Sequence, residues 1–70
     1  MIIPAGKRVW IDYTNHRGER SDRFIMPGQI KFTATEWHTE PQWILYAHDL
    51  LKDRMRGFAL KDIHSWKPAD

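Results

Sequence analysis

The chain has 70 residues, of which 41% are hydrophobic and 13% aromatic, so it is long enough for one small domain and too short for two. It contains no cysteine, which excludes disulfides, cysteine metal sites and cysteine nucleophiles. Eleven Lys and Arg against nine Asp and Glu leave a formal net charge of +2, so charge alone gives weak support to a polyanionic partner.

The location of the protein is predicted from what the sequence lacks. A small domain without disulfides is typical of the reducing cytoplasm. No apolar run approaches the ~18–20 residues that a membrane span needs. Residues 1–6 do not combine a basic segment with a long apolar one, so we expect no signal peptide. The expectation is a cytoplasmic domain that does not contact a membrane.

The first half of the chain has hydrophobic residues at every second position, the pattern of half-buried strands. We predict strands over residues 9–13, 20–26 and 30–35. The polar cluster at 15–18, which contains Gly18, predicts a hairpin turn between the first two strands. Pro27 and Gly28 form a strong breaker pair and predict the end of the second strand.

The second half alternates between a loop, two strands and short turns. Pro41 predicts a loop over residues 37–41, and the apolar run 43–47 predicts a strand that is buried on both faces at the centre of the sheet. We expect a short helical turn over 49–53 with Asp49 as its N-cap, and a last strand over 56–60. Residues 61–66 then form a tight turn, and 67–70 form a frayed tail.

These elements predict the fold class. Five short strands without a long helix, linker or repeat indicate one antiparallel all-β unit that spans residues 1–70. Closure into a barrel would leave no exposed strand edge. We expect Trp43 and Phe58 to pack in its core, since large aromatic rings contribute most of the buried surface in a chain this short.

Four short segments follow one another in an order that is typical of a known family. They are VWIDYTNHRGE at 9–19, RFIMP at 23–27, WIL at 43–45 and RGFALKDI at 56–63. Together they resemble the WYL domain, and more narrowly its short stand-alone relatives, over about residues 9–63. The resemblance implies a five-stranded Sm-like SH3 barrel with at most one short helical turn. It also implies a non-catalytic module that senses a ligand, often a nucleic acid or a nucleotide, in transcriptional or defence regulators.

The sequence departs from the family pattern in two respects. Longer members commonly carry a second arginine before the final isoleucine, where this chain has Asp62, with Lys61 one residue earlier. The helix-turn-helix domain that usually accompanies the family is not among these 70 residues. A role in transcription would therefore require another chain to contact DNA.

Arginines are the first candidate ligand-binding residues. The resemblance places Arg23 and Arg56 near one rim of the barrel, where a guanidinium fork can bind phosphate oxygens. Lys61 would add charge, and Arg54, Arg20 and Lys31 could extend the patch. Alternatively, the arginines are solvated or pair with Asp12, Asp22 and Asp53.

Aromatic residues are the second candidate. Trp10 alternates against Val9 and Ile11 and so faces outward, while Tyr13 or Trp10 would stack on a ligand or line its groove. Trp37 lies in a polar loop and is also expected to be partly exposed. Exposed rings of this kind equally suit a protein-interaction or self-assembly module, which is the alternative function.

Catalysis, metal binding and cofactors find little support in the sequence. The four histidines have no metal-ligand spacing, the serines lie in no nucleophile elbow, and the glycines form no phosphate-binding loop. We therefore expect a non-enzymatic module without a cofactor. Its expected partner is a nucleic acid or nucleotide, or else a protein, including a second copy of the chain.

Overall fold

The computed structural model describes residues 6–69 and shows an all-β fold. Its strands are β1 (Val9–Thr14), β2 (Arg20–Thr33), β3 (Gln42–Asp49), β4 (Arg54–Ala59) and β5 (Ile63–Pro68). A 3₁₀-helix (Leu60–Asp62) separates the last two strands. The all-β prediction with five strands and one short helical turn is confirmed. Residues 1–5, on which the signal-peptide expectation rests, and Asp70 lie outside the described part.

The strands form one antiparallel sheet in the order β4-β3-β2-β1-β5. The sheet is curled, as shown by a contact between strands that are not neighbours in it. Tyr13 of β1 packs edge-on against Phe58 of β4 with ring centroids 4.9 Å apart. The backbone N–H of Ala59 also donates a hydrogen bond to the Tyr13 hydroxyl at 3.4 Å. Closure of the curled sheet into a barrel stays a prediction.

Strand β2 corrects the prediction of separate strands over 20–26 and 30–35. Pro27 pairs with Ala47 and Ile30 pairs with Leu45, so the register shifts between them while the strand continues. A bulge of this kind bends a strand without ending it. At Gly28 an added Cβ would lie 2.6 Å from the carbonyl oxygen of Tyr46, so only glycine fits there. The breaker pair therefore marks a bend, and β2 rather than β3 is the central strand.

The core lies on the concave face of the curled sheet. It consists of Val9, Ile11, Tyr13, Ile25, Leu45, Ala47 and Phe58. Burial of both faces of β3 is confirmed, since Ile44 is also fully buried on the opposite face from Leu45. The prediction of a core position is correct for Phe58 and wrong for Trp43, which is 56% exposed. The pairing of β3 with β4 begins at Ile44, so Trp43 has no neighbouring residue on β4.

The chain after β3 also differs from the prediction. Residues 50–53 form a turn rather than a helix, although Asp49 Oδ1 accepts the N–H groups of Leu51 and Lys52 at 3.1 Å as a capping residue does. Residues 63–66 of the predicted turn and 67–68 of the predicted tail are in fact strand β5, which pairs with β1. Among residues 6–69 we found no helix with the length and apolar character of a membrane span.

Candidate anion-binding pocket

One depression of about 320 Å³ gathers five of the eleven lysine and arginine side chains near one end of the sheet. We call it the basic pocket, and its lining residues are Asn15, His16, Arg17, Glu19, Arg23, Trp37, Lys52, Arg54 and Arg56. Five of these nine are lysine or arginine and one is acidic. The net charge of only +2 is thus unevenly distributed, and this pocket is strongly positive.

Strand register explains why Arg23 and Arg56 meet here. Arg23 of β2 is paired with buried Ile11, and Arg56 of β4 is paired with buried Ala47. Paired residues share a face of the sheet, so both arginines extend from the core face into the pocket. Their side chains are only 12% and 21% exposed. The predicted proximity of these two residues is therefore present in the structure.

Asp49 lies close to both arginines but lines an adjacent depression rather than the basic pocket itself. Its Oδ2 is 3.9 Å from Nη1 of Arg23 and 4.0 Å from Nη1 of Arg56, close enough for ion pairing but too far for hydrogen bonds. Asp49 Oδ2 and Arg56 Nη1 are both buried and without a hydrogen-bond partner among the described residues. Nε of Arg23 donates to the Ser21 hydroxyl at 3.0 Å.

Burial and crowding of like charge both act on Arg56. Desolvation lowers the pKa of Arg56, and the neighbouring Arg23 and Arg54 lower it further, while Asp49 opposes them. Arginine keeps its charge in proteins despite such shifts. The pocket therefore concentrates positive charge that one carboxylate does not neutralise, and an added anion would be attracted to it.

Trp37 supplies an aromatic wall beside these cations. Its ring stacks on that of His16 with centroids 4.4 Å apart and planes 17° from parallel, yet the residue remains 59% exposed. The loop is fixed locally because the Thr35 hydroxyl accepts the N–H groups of Trp37 and His38, at 3.2 and 2.9 Å. The position of Trp37 leaves one surface of an indole ring facing solvent next to arginines.

Tyr13 lies in the core next to the pocket rather than among its lining residues. Its hydroxyl makes a hydrogen bond with Nε2 of His38 at 3.4 Å in addition to the one from Ala59. Burial raises the pKa of the Tyr13 hydroxyl, and burial likewise lowers the pKa of His38. The bond to His38 connects β1 to the loop that carries Trp37, so Tyr13 helps to position that loop without lining the pocket.

The other two predicted site residues lie elsewhere. Trp10 faces outward as predicted, where it stacks on Phe24 with ring centroids 4.8 Å apart. Lys61 lies in the 3₁₀-helix and lines a separate apolar depression with Phe32 and Trp43. The structure therefore brings Arg23 and Arg56 together but does not bring Trp10 or Lys61 to them.

The structure also distinguishes the two further arginines that could extend the patch, Arg20 and Arg54. Arg20 forms a two-pronged pair with Asp12, with nitrogen–oxygen distances of 2.9 and 2.7 Å, so it is engaged outside the pocket. The hydrogen bond from Arg20 lowers the pKa of Asp12. Arg54, in contrast, lines the pocket. Within residues 6–69 no group of three or more His, Asp or Glu side chains is placed to hold a metal ion.

Sequence reasoning did not identify several lining residues. His16, Arg17 and Lys52 belong to turns, where strand periodicity says nothing about the direction of a side chain. Trp37 was expected to be partly exposed, but its stacking on His16, 21 positions earlier, depends on how two separate loops approach each other. The sequence signal that could have indicated these residues is the presence of a basic or aromatic residue in each of three segments between strands, 15–19, 34–41 and 50–53.

Comparison with known proteins identifies a family. The family model described as WYL domain matches residues 2–68 of the 70-residue chain. No curated protein and no solved structure matches it.

Proposed function

Since this chain belongs to the WYL domain family, whose members are generally non-catalytic ligand-sensing modules, we propose that it binds a nucleotide or a nucleic acid strand in the basic pocket. The observation that carries this proposal is the convergence of Arg23, Arg54 and Arg56 in one pocket, where a single buried carboxylate pairs with two of them. Uncompensated arginines on the face of a sheet are suited to phosphate oxygens.

Phosphate binding follows from the geometry of the guanidinium groups. Arg23 and Arg56 are held by the packing of their stems, so little side-chain freedom is lost when a ligand binds. Arg17, Lys52 and Arg54 come from flanking turns and strand ends, and they would neutralise further phosphate charge. Binding should therefore weaken with added salt, because neutralised phosphates release counterions.

A nucleobase would stack on Trp37. The indole is exposed beside the cations, and aromatic stacking stabilises a bound base by about 1–3 kcal/mol without requiring a particular sequence. The combination of cations and an aromatic ring favours a nucleotide over a simple anion. In a regulatory setting the ligand would report to another chain, and a helix-turn-helix protein in the cytoplasm is the partner that the family resemblance suggests.

The proposal is tested by NMR titration of the ¹⁵N-labelled chain. Adenosine monophosphate and a short single-stranded oligonucleotide are added separately, at low and at moderate salt. We expect shifts at Arg23, Arg56, Trp37 and the 50–53 turn that diminish with salt. Absence of shifts with both ligands at low salt would contradict the proposal.

A second function, protein interaction, is favoured by one observation. Phe32 and Trp43 are both more than half exposed, and their rings pack edge-on with centroids 5.3 Å apart beside Lys61. Such an apolar surface is a common feature of protein contacts. A mass that rises with concentration in light scattering and falls in Trp43→Ala would support this function. Indifference of that mass to Arg56→Gln would separate it from ligand binding.

A further inference from the structure

One buried acceptor beside the basic pocket and one buried donor in its lining have no hydrogen-bond partner among the described residues. Asp49 is 2% exposed, and its Oδ2 accepts no hydrogen bond from the described residues. Nη1 of Arg56, 4.0 Å away, donates none to them. The other oxygen of Asp49 is engaged by the backbone N–H groups of Leu51 and Lys52, so the carboxylate is fixed in place.

Unpaired buried polar groups are costly, and a ligand that pairs them gains selectivity as well as affinity. The two free atoms require different ligand atoms, because Arg56 needs an acceptor and Asp49 Oδ2 needs a donor. An oxyanion without hydrogen satisfies Arg56 but places its oxygen against a carboxylate. An oxyanion with one hydroxyl group satisfies both.

Building on the proposed phosphate site, we infer that Asp49 determines specificity by selecting oxyanions that carry a hydroxyl hydrogen. A P–OH group donates to Asp49 Oδ2, while the other phosphate oxygens accept from Arg23 and Arg56. Inorganic phosphate carries this hydrogen at neutral pH, and a terminal phosphate carries it as the monoanion, which predominates below its second pKa of about 6. Sulfate and internal phosphodiesters carry none. The buried position therefore takes inorganic phosphate or the terminal phosphate of a nucleotide or strand.

Arg23 controls access to Asp49. It lines the basic pocket and also an adjacent depression of about 250 Å³, whose other lining residues include Ser21, Asp49 and Lys52. Its guanidinium is held by the hydrogen bond to Ser21 and by the long ion pair with Asp49. We expect ligand access to Oδ2 to require rotation of this side chain, which would break both contacts.

Inorganic phosphate and sulfate test the inference as a matched pair. At pH 7.5 they are predominantly dianions of similar size, and only phosphate carries a hydroxyl group. We expect the 70-residue chain to bind phosphate about tenfold more tightly than sulfate at equal ionic strength, because an unpaired buried charge opposes sulfate. Pocket resonances followed by NMR give both affinities.

Asp49→Asn removes the basis of the selection. The amide can donate to an oxyanion, so the preference should fall to within about twofold and sulfate should gain affinity, as expected when an unpaired charged acceptor is replaced. Glu40→Gln removes one negative charge from an exposed loop residue that lies outside the basic pocket, and it should retain the tenfold preference. If Asp49→Asn does not fold, the comparison of phosphate with sulfate in the wild-type chain alone tests the inference.

A second arm separates the two sources of phosphate. At pH 6, where a terminal phosphate is partly the monoanion that carries a hydroxyl hydrogen, a dinucleotide with a 5′-terminal phosphate should compete with inorganic phosphate. The same dinucleotide without that phosphate should compete much less. Equal binding of phosphate and sulfate at the pocket would overturn the selective role of Asp49 and leave the proposed function intact. Failure of both ions and both dinucleotides to bind would contradict the proposed function itself.

Discussion

Replacement of Gly28 by alanine tests how the bend in β2 shapes this domain. The residue lies in the bulge between the pairings of Pro27 with Ala47 and of Ile30 with Leu45. An added Cβ would lie 2.6 Å from the backbone carbonyl oxygen of Tyr46. That oxygen belongs to the adjacent strand and cannot move without disturbing the pairing of the strands.

The expected cost can be estimated from this contact. Inserting one methyl group into a tightly packed position costs about 1–3 kcal/mol, and we expect the upper part of this range because the obstacle is backbone. A 70-residue domain has a free energy of unfolding of about 4–10 kcal/mol in total. Gly28→Ala should therefore remove a large fraction of the stability.

Gly57→Ala is the matched control, since this glycine also lies within a strand. Its added Cβ would meet Cγ2 of the Ile44 side chain at 3.0 Å, and a side chain can adjust. Reduced freedom of the unfolded chain offsets part of the cost by about 0.4–1 kcal/mol. Urea unfolding followed by circular dichroism measures both variants. A Gly28→Ala protein as stable as Gly57→Ala would refute the assignment of the bend to this close approach.

Three further predictions concern the core, the loop and the aromatic wall. Phe58→Ala should lower the free energy of unfolding by about 3–5 kcal/mol, measured by urea unfolding, because the ring is fully buried against Tyr13. Since burial lowers the pKa of His38, the unfolded chain takes up its proton first as pH falls below about 6.5. The stability that neutral His38 contributes above this pH is therefore lost progressively as pH falls from about 6.5 to the lower pKa of His38 in the folded chain. In thermal melts, the melting temperature of His38→Gln should fall less between pH 7 and pH 5 than that of the wild type. Trp37→Ala should weaken nucleotide binding in NMR titrations by about 1–3 kcal/mol while Trp43→Ala, at similar exposure, leaves it unchanged; equal effects would rule out selective stacking on Trp37.

The fold was predictable to the extent that side chains alternate along the chain. Hydrophobic patterning correctly located β1 and the outward position of Trp10 by alternation, and the buried pair Ile44 and Leu45 by a continuous apolar run. It failed at Pro27, because a breaker residue can sit at a bulge as well as at a strand end. It failed at Trp43 because hydrophobicity does not reveal where the neighbouring strand begins.

The candidate site was predictable only in part. Arg23 and Arg56 were singled out through the family resemblance, and strand pairing then places both beside the core. The burial of Asp49 next to Arg23 and Arg56 could not be read from the sequence, since these three residues come from three different strands. Trp10 was correctly predicted to face outward, but the two arginines extend from the core face, and Lys61 lies in the 3₁₀-helix, so both residues lie outside the basic pocket.

The salt dependence of binding in a single charge variant tests the central claim most directly. Arg54→Gln removes an exposed cation of the basic pocket, and Lys31→Gln removes an exposed cation outside it. Affinity for a short 5′-phosphorylated single-stranded oligonucleotide is measured between about 50 and 200 mM salt, a range over which phosphate contacts are screened. The slope of log affinity against log salt should become shallower by about 0.7 in Arg54→Gln and stay unchanged in Lys31→Gln. Equal slopes in all three proteins, or binding that is indifferent to salt, would contradict phosphate recognition in the basic pocket.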